Sequence, residues 1–457
     1  MRQRTPAIGA FAVVFVASLI VASIEGAKPF QGDSAHYWVL GDSFVVDGGF
    51  SLLNFDSPLR GYMLPLLTHA MAEIGNDLGL SESLVVRTFN AAVLALIATV
   101  LAPGFARLAW PDERWGVWRR LGVGVLLLVF WRSYLNFPLS DFPALAAVLL
   151  ALIAAARADV PGWMLVAGLA SAAAINLRPA YILLVPVVLA LAVAVWWRRR
   201  DGWSRSAPRL VACFTLLVCG FAAVSLPQSL ATDRHHDSWS FVPGSVAKLS
   251  SLQFTQGVLL QRYETYVGPG QPGPRMFYDD PTGQRILEQR GDPTIDDARE
   301  YLDVVAGHPF DMAGVFARHV INGFDQRYPT PYVEAIDTGS QRWLRLAGFL
   351  LLFVALARVA WPPARRAVGV ARWRYPAALL LCGASSVASA VETRFLLPGY
   401  LLAYLLVLAP GWPATLAELR PPAAGLRPAL ALGVAFVVYM ALVLYVVGQA
   451  TEQLRIA

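Results

Sequence analysis

The chain has 457 residues, of which 56% are apolar and only 15% charged, and its mean hydropathy is +0.52. Soluble domains carry about 25% charged residues, so a soluble globular protein is excluded; apolar runs near the ~20 residues a bilayer helix needs recur along the whole length. The net charge of +6 rests almost wholly on arginines in short blocks between those runs, since Lys28 and Lys248 are the only lysines; that distribution suits the inner face of a membrane protein and not a nucleic-acid surface.

In chain order, Arg2 and Arg4 precede an apolar run from residue 7 to 25. The run is longer than the hydrophobic region of a signal peptide and further spans follow, so it reads as a retained first helix. The pattern predicts an all-α polytopic membrane protein of about eleven spans: 7–25, 83–106, 118–137, 140–157, 161–177, 179–197, 209–228, 343–360, 375–391, 395–411 and 428–448. The stretch GYMLPLLTHAMAEIG (61–75) is apolar but short and holds Pro65, which predicts an interfacial or re-entrant helix. Cys213, Cys219 and Cys382 lie within apolar runs and read as buried packing thiols. No CxxC pattern or disulfide framework is present.

Arginine sets the orientation. With the N-terminus in the cytoplasm, the inner connections hold Arg107, Arg114, Arg119 and Arg120; Arg157; Arg198, Arg199, Arg200, Arg205 and Arg209; Arg358, Arg365, Arg366, Arg372 and Arg374; and Arg420 and Arg427. The short outer connections hold only Arg60, Arg178 and Arg394. The chain then divides into an N-terminal transmembrane module, 1–228, with a first outer loop over 26–82; an extracytoplasmic segment, 229–342, of mixed or α structure; and a C-terminal transmembrane module, 343–457. Within 296–324 the apolar spacing of Tyr301, Leu302 and Val305, then Met312, Val315, Phe316 and Val320, predicts two amphipathic helices broken at His308-Pro309. No internal repeat is visible, which weighs against a transporter of inverted repeats.

With this topology, ionisable residues from separate segments share the outer membrane level: Asp33 in GDSAHYW (32–38), Arg87 entering the second span, Asp141 in SDFP, Arg178 in NLRP, and Glu392 and Arg394 in VETRF. Charges at bilayer depth face a cavity or one another, so a polar pocket is expected there. Each has a plainer reading too. Asp33 and Asp141 suit helix starts, Arg178 and Arg394 could snorkel, and Glu392 could pair with Arg394. Asp42, Asp47 and Asp56 sit beside Gly or Ser and read as turn residues. DRHHD (233–237) is a weak metal candidate that needs a carboxylate from the first loop. No GxGxxG, Walker or GxSxG signature occurs.

GDSAHYW followed by SPLRGYMLPLLTHAM (57–71), then SDFPALAAVLLALIAA (140–155), INLRPAYILLVPVVL (175–189), AGHPFDMAGVF (306–316) and ETRFLLPGYLLAYLL (392–406), taken in this order and sidedness, resembles the integral-membrane type C (GT-C) glycosyltransferases. That superfamily includes lipid A aminoarabinose transferases and protein O-mannosyltransferases. The first-loop motif here is Asp-Ser where Asp-Glu is common in these families, and no large C-terminal soluble domain is present. The resemblance implies a GT-C-like bundle that transfers sugar from a polyprenyl-phosphate donor to a glycan, glycolipid or protein acceptor at the extracytoplasmic face of the bilayer. It implies Asp33 as general base, with Asp141 organising the site or a divalent metal ion, the one candidate cofactor. Arg60, Arg178 and Arg394 are the implied phosphate ligands because a guanidinium fork holds phosphate oxygens in pairs, and Glu392 joins them in the substrate site. His36 binds acceptor or packs, and Tyr37 and Trp38 anchor the loop helix at the interface. The other readings are a multi-span transporter or flippase and a non-catalytic assembly partner.

Overall fold

The computed structural model describes residues 5–111, 115–197, 203–268, 275–360, 372–409 and 427–456. Of the arginines used to orient the chain, Arg2, Arg4, Arg114, Arg198, Arg199, Arg200, Arg365, Arg366 and Arg420 lie outside these residues, as do the side chains of Arg205 and Arg427.

The molecule is a helical bundle. Among the described residues, six helices are long and apolar enough to cross a membrane: Ala7–Ile24, Glu82–Ala109, Pro179–Trp197, Pro208–His236, Gly339–Ala360 and Leu430–Glu452. The other five expected spans are shorter helices, Val117–Trp131, Asp141–Ala155, Pro161–Leu177, Arg374–Ala384 and Leu397–Leu408. Of these, Asp141–Ala155 and Leu397–Leu408 are buried along nearly their whole length. Helices wrapped by other helices need not match the full hydrocarbon thickness on their own surface.

The first helix is part of this core. Ser18 and Ala22 are fully buried, and a Cβ on Gly124 would come within 2.7 Å of Val14. Helix Pro161–Leu177 and the long helix Trp203–His236 approach closely. A Cβ on Gly168 would lie 2.1 Å from the Leu217 carbonyl oxygen, and one on Gly220 would lie 2.3 Å from that of Leu165. Small residues let helix backbones meet in a medium that supplies no hydrophobic drive between helices. The long helix continues past residue 228, the expected boundary, to His236. Cys213 and Cys382 are buried as expected; Cys219 is exposed on the outward side of that same helix, which corrects its reading as a packing thiol.

The stretch 61–75 forms helix Met63–Leu78, closed by Gly79 at φ +62°. Before it, strands β1 (Val45–Val46) and β2 (Gly49–Phe50) make a hairpin through Asp47 at φ 52° and Gly48 at φ 77°, the two-residue turn that Asp-Gly favours. Turn chemistry thus accounts for Asp47.

The segment after His236 is of mixed structure, one of the two forms expected for 229–342. Strands β3 (Leu260–Tyr266), β4 (Arg275–Asp279), β5 (Tyr332–Val333) and β6 (Leu454–Ile456) form a mixed sheet in the order β5-β3-β4-β6. The last strand comes from the end of the described chain and pairs antiparallel with β4. The expected amphipathic helices are present as Ala298–Gly307 and Pro309–Gly323, with His308 at the break. Tyr301, Val304, Met312 and Val315 form a small separate core with Ile286 and Leu287.

Candidate functional site

The site begins with a turn of the first loop. Gly32 adopts φ +51° and opens the helix Gly32–Leu40. The helix start is closed by Ser34, whose hydroxyl accepts from Gln31 N at 3.0 Å and donates to Gln31 O at 2.7 Å. That leaves Asp33 free of capping duty, and its carboxylate instead meets two guanidinium groups. Arg60 Nη2 donates to Oδ1 at 2.5 Å and Arg394 Nη2 to Oδ2 at 3.0 Å.

Arg60 stands on the turn 57–61, where Ser57 Oγ accepts from Arg60 N at 3.1 Å. Gly61 follows because nothing larger fits: a Cβ there would lie 2.1 Å from the Asn176 carbonyl oxygen. The Asn176 side chain accepts from Met63 N at 2.9 Å and donates to Gln228 at 3.0 Å. Loop one is thereby fixed to the end of Pro161–Leu177, two residues before Arg178. Pro179 disfavours a helical Arg178, which is extended at φ −148° and ψ 104°. Its guanidinium reaches Asp141 in the first turn of Asp141–Ala155, and lies 4.6 Å from the Phe395 ring centroid.

Arg394 joins the two halves. Its Nε donates to Glu392 Oε2 at 2.6 Å, its Nη2 serves Asp33, and its Nη1 is 3.9 Å from Asp141 Oδ2. Asp33, Arg60, Arg394, Glu392, Asp141 and Arg178 therefore form one connected ion network. Tyr37 borders it: its ring lies 5.0 Å from the Arg60 guanidinium carbon, and its hydroxyl accepts from Arg60 Nη1 at 3.4 Å.

This geometry bears out one of the plainer readings, the Glu392–Arg394 pair, and corrects others. Neither Asp33 nor Asp141 caps its helix through its side chain. Arg178 and Arg394 are buried, not snorkelling, and Tyr37 is in the core beneath Arg60, not at a boundary. Trp38 packs on Phe30 with ring centroids 5.1 Å apart. His36 is exposed and has neither packed nor joined the network; partial burial and the charge of Arg60 hold its imidazole below the usual value. Arg87 belongs to a different group, donating to Asn136 at 2.7 Å and to the Gly26 carbonyl. In the DRHHD stretch His236 does meet a first-loop carboxylate, Asp56, at 3.1 Å. Among the described residues, however, no group of three His, Cys, Asp or Glu side chains is placed to hold a metal ion.

The three carboxylates differ in access. The Asp33 side chain is 32% exposed, against 2% for Asp141 and 1% for Glu392. Only Asp33 can touch a substrate without rearrangement. Burial would raise its proton affinity, but the charges of Arg60 and Arg394 outweigh this and hold it well below the ordinary carboxylate range. Glu392 goes the other way. Burial outweighs Arg394 and pushes it up to about 7.

Sequence reasoning missed a second layer. Thr393 Oγ1 donates to Glu264 at 3.0 Å, and Glu264 pairs with Arg262, which also reaches Asp325. Arg262 and Glu264 alternate with Tyr263 and Thr265 along β3, so the period of two in QRYETY was the available signal. Tyr332 was missed as well. It opens β5 and reaches the Asp33 helix, with its hydroxyl accepting from Ser34 N at 2.9 Å.

No protein-family model matches the chain, and no curated protein matches it either.

Proposed function

We propose that the protein is a membrane glycosyltransferase of the GT-C type, which transfers a sugar from a polyprenyl-phosphate donor to an acceptor hydroxyl. The observation that carries the reading is the partly exposed carboxylate of Asp33 held between two arginines from opposite ends of the chain. One anion acceptor and one proton acceptor are needed for this chemistry, and they stand side by side.

In the reaction the acceptor oxygen attacks the anomeric carbon while the bond from that carbon to the phosphate oxygen breaks. Asp33 takes the hydroxyl proton and the electron pair leaves on polyprenyl phosphate. Arg60 and Arg394 hold the phosphate oxygens, and the charge that develops on the leaving group falls on preorganised donors. As those guanidiniums turn to the phosphate, Asp33 loses the charges that suppress its basicity and becomes the better base. Asp141 is too enclosed to meet substrate first; paired with Arg178, it fixes Arg394, whose Nη1 lies 3.9 Å from its Oδ2.

The proposed topology has eleven crossings, counting the five shorter helices, with a cytoplasmic N-terminus and the site on the extracytoplasmic face. Two contacts support an odd number. Lys28, just after the first helix, pairs with Glu334 at 2.6 Å, and β6 pairs with β4. Both ends of the remaining bundle therefore return to the side that carries residues 237–338.

The test is to incubate purified protein in lipid discs with synthetic polyprenyl-phosphate sugars and a membrane extract, and to follow polyprenyl phosphate. Extract-dependent release from one donor is expected. A folded protein that releases none from any donor would contradict the reading and favour transport.

A further inference from the structure

The ion network is balanced, with three guanidiniums against three carboxylates. An anionic ligand that enters it would leave one negative charge too many in a largely dry site, where an unmatched charge is costly. One carboxylate is built to absorb the difference. Glu392 is almost fully buried, and among the described residues only its Oε2 has a hydrogen-bond partner, Arg394; no donor reaches Oε1. A proton placed on Oε1 meets no competing donor.

We infer that Glu392 takes up a proton when the site binds an anion, so that phosphate recognition here is proton-coupled. The inference rests on the proposed reading of this site as a phosphate site. The groups that face Glu392 are Arg394, Arg178, Glu264, Asp33 and the buried phenols of Tyr263 and Tyr134. Drawing Arg394 toward a ligand weakens its hold on Glu392, while Glu264 and Asp33 stay negative beside it. Both changes favour the neutral acid. Asp33 is the poorer proton acceptor, because it starts far below the carboxylate range and has access to solvent, whereas Glu392 starts near neutrality.

The sign follows from linkage. Binding raises the Glu392 value above about 7, so affinity is full below that pH. It falls as pH rises from there toward the bound-state value, by up to ~10-fold per pH unit for one proton. The probe is farnesyl methyl phosphate, a diester with no second ionisation to confuse the result, bound to the full chain in lipid discs. Titration calorimetry at pH 8 in Tris and in HEPES is expected to give enthalpies that differ as the uptake of close to one proton requires, and Kd is expected to weaken from pH 7 upward. E392Q should bind with the same Kd from pH 6 to 9 and with no buffer dependence. Equal enthalpies in both buffers and a flat wild-type Kd would overturn proton coupling and leave the phosphate site standing. Undiminished uptake in E392Q would overturn the assignment to Glu392. Absence of binding at millimolar probe would overturn the phosphate reading and this inference together.

Discussion

Asp33 and Arg394 are separated by 361 residues and meet at 3.0 Å. The contact ties the first loop to the junction before Leu397–Leu408, so neither half of the chain completes the site alone. Because Arg394 also serves Glu392, its loss would strand a buried carboxylate. Arg394→Ala is expected to cost about 3–5 kcal/mol, seen as a lowered unfolding midpoint in detergent, and to weaken farnesyl methyl phosphate binding at least ~10-fold. Arg394→Lys keeps the charge but not the fork, and should recover part of the stability and little of the binding. Equal recovery of both would show that the fork is not needed.

Arg178 and Asp141 form a buried pair whose role is support. Arg178→Ala alone leaves Asp141 without its hydrogen-bonded partner, with only Arg394 Nη1 at 3.9 Å, and should cost about 3–5 kcal/mol. The double change Arg178→Met with Asp141→Leu should cost much less than the sum of the single changes, because neither charge is then stranded. Additive losses in that cycle would mean that the pair does not interact as the geometry requires.

Tyr332 positions the Asp33 helix. Tyr332→Phe removes one hydrogen bond, to Ser34 N, worth about 1 kcal/mol. The expected outcome is a modest fall in stability with a several-fold fall in kcat and little change in KM. Gly32→Ala should be worse on both counts, since Gly32 sits at φ +51° and an added Cβ would lie 3.1 Å from the Tyr332 ring. A left-handed Ala costs roughly 1–2 kcal/mol before that contact is counted. If Gly32→Ala has wild-type kcat, the helix start does not set the position of Asp33.

The Asp33 ion pairs make a pH prediction. The folded-state value lies below the unfolded one, near 3.9, so the stabilisation is present above about pH 4 and drains as pH falls toward the folded-state value. With Glu392→Gln in both proteins, so that Glu392 does not titrate, the difference in unfolding midpoint between Asp33 and Asp33→Asn should be constant from pH 8 to 5 and shrink only below pH 4. A difference that already shrinks between pH 8 and 6 would mean that Asp33 is not held ionised by Arg60 and Arg394.

Much of this was legible in the sequence, and particular residues show why. Asp33, Asp141, Arg178, Glu392 and Arg394 each break an apolar context, and charges at membrane depth gather because hydrocarbon penalises them singly. Arg60 was visible as one of few arginines in the short connections. Of the pairings, only Glu392 with Arg394 was visible. Asp33 looked like a helix cap until Ser34 and Gln31 took that task, and Arg178 looked like a snorkelling residue until Pro179 turned it toward Asp141. Mixed structure was expected in this segment, but the strands and their order could not be read because the strands are short and β6 comes from a distant part of the chain. Eleven apolar runs were readable, but helices Asp141–Ala155 and Leu397–Leu408 are shorter than their runs.

The most direct test of the central claim is single-turnover sugar transfer by wild type and by Asp33→Asn, with a polyprenyl-phosphate donor bound to saturation in both. If Asp33 is the general base, the variant should bind donor at least as well, because Arg60 and Arg394 are freed, yet transfer at least ~10²-fold more slowly. Equal transfer rates, with donor bound equally, would contradict the account and remove Asp33 from the chemistry.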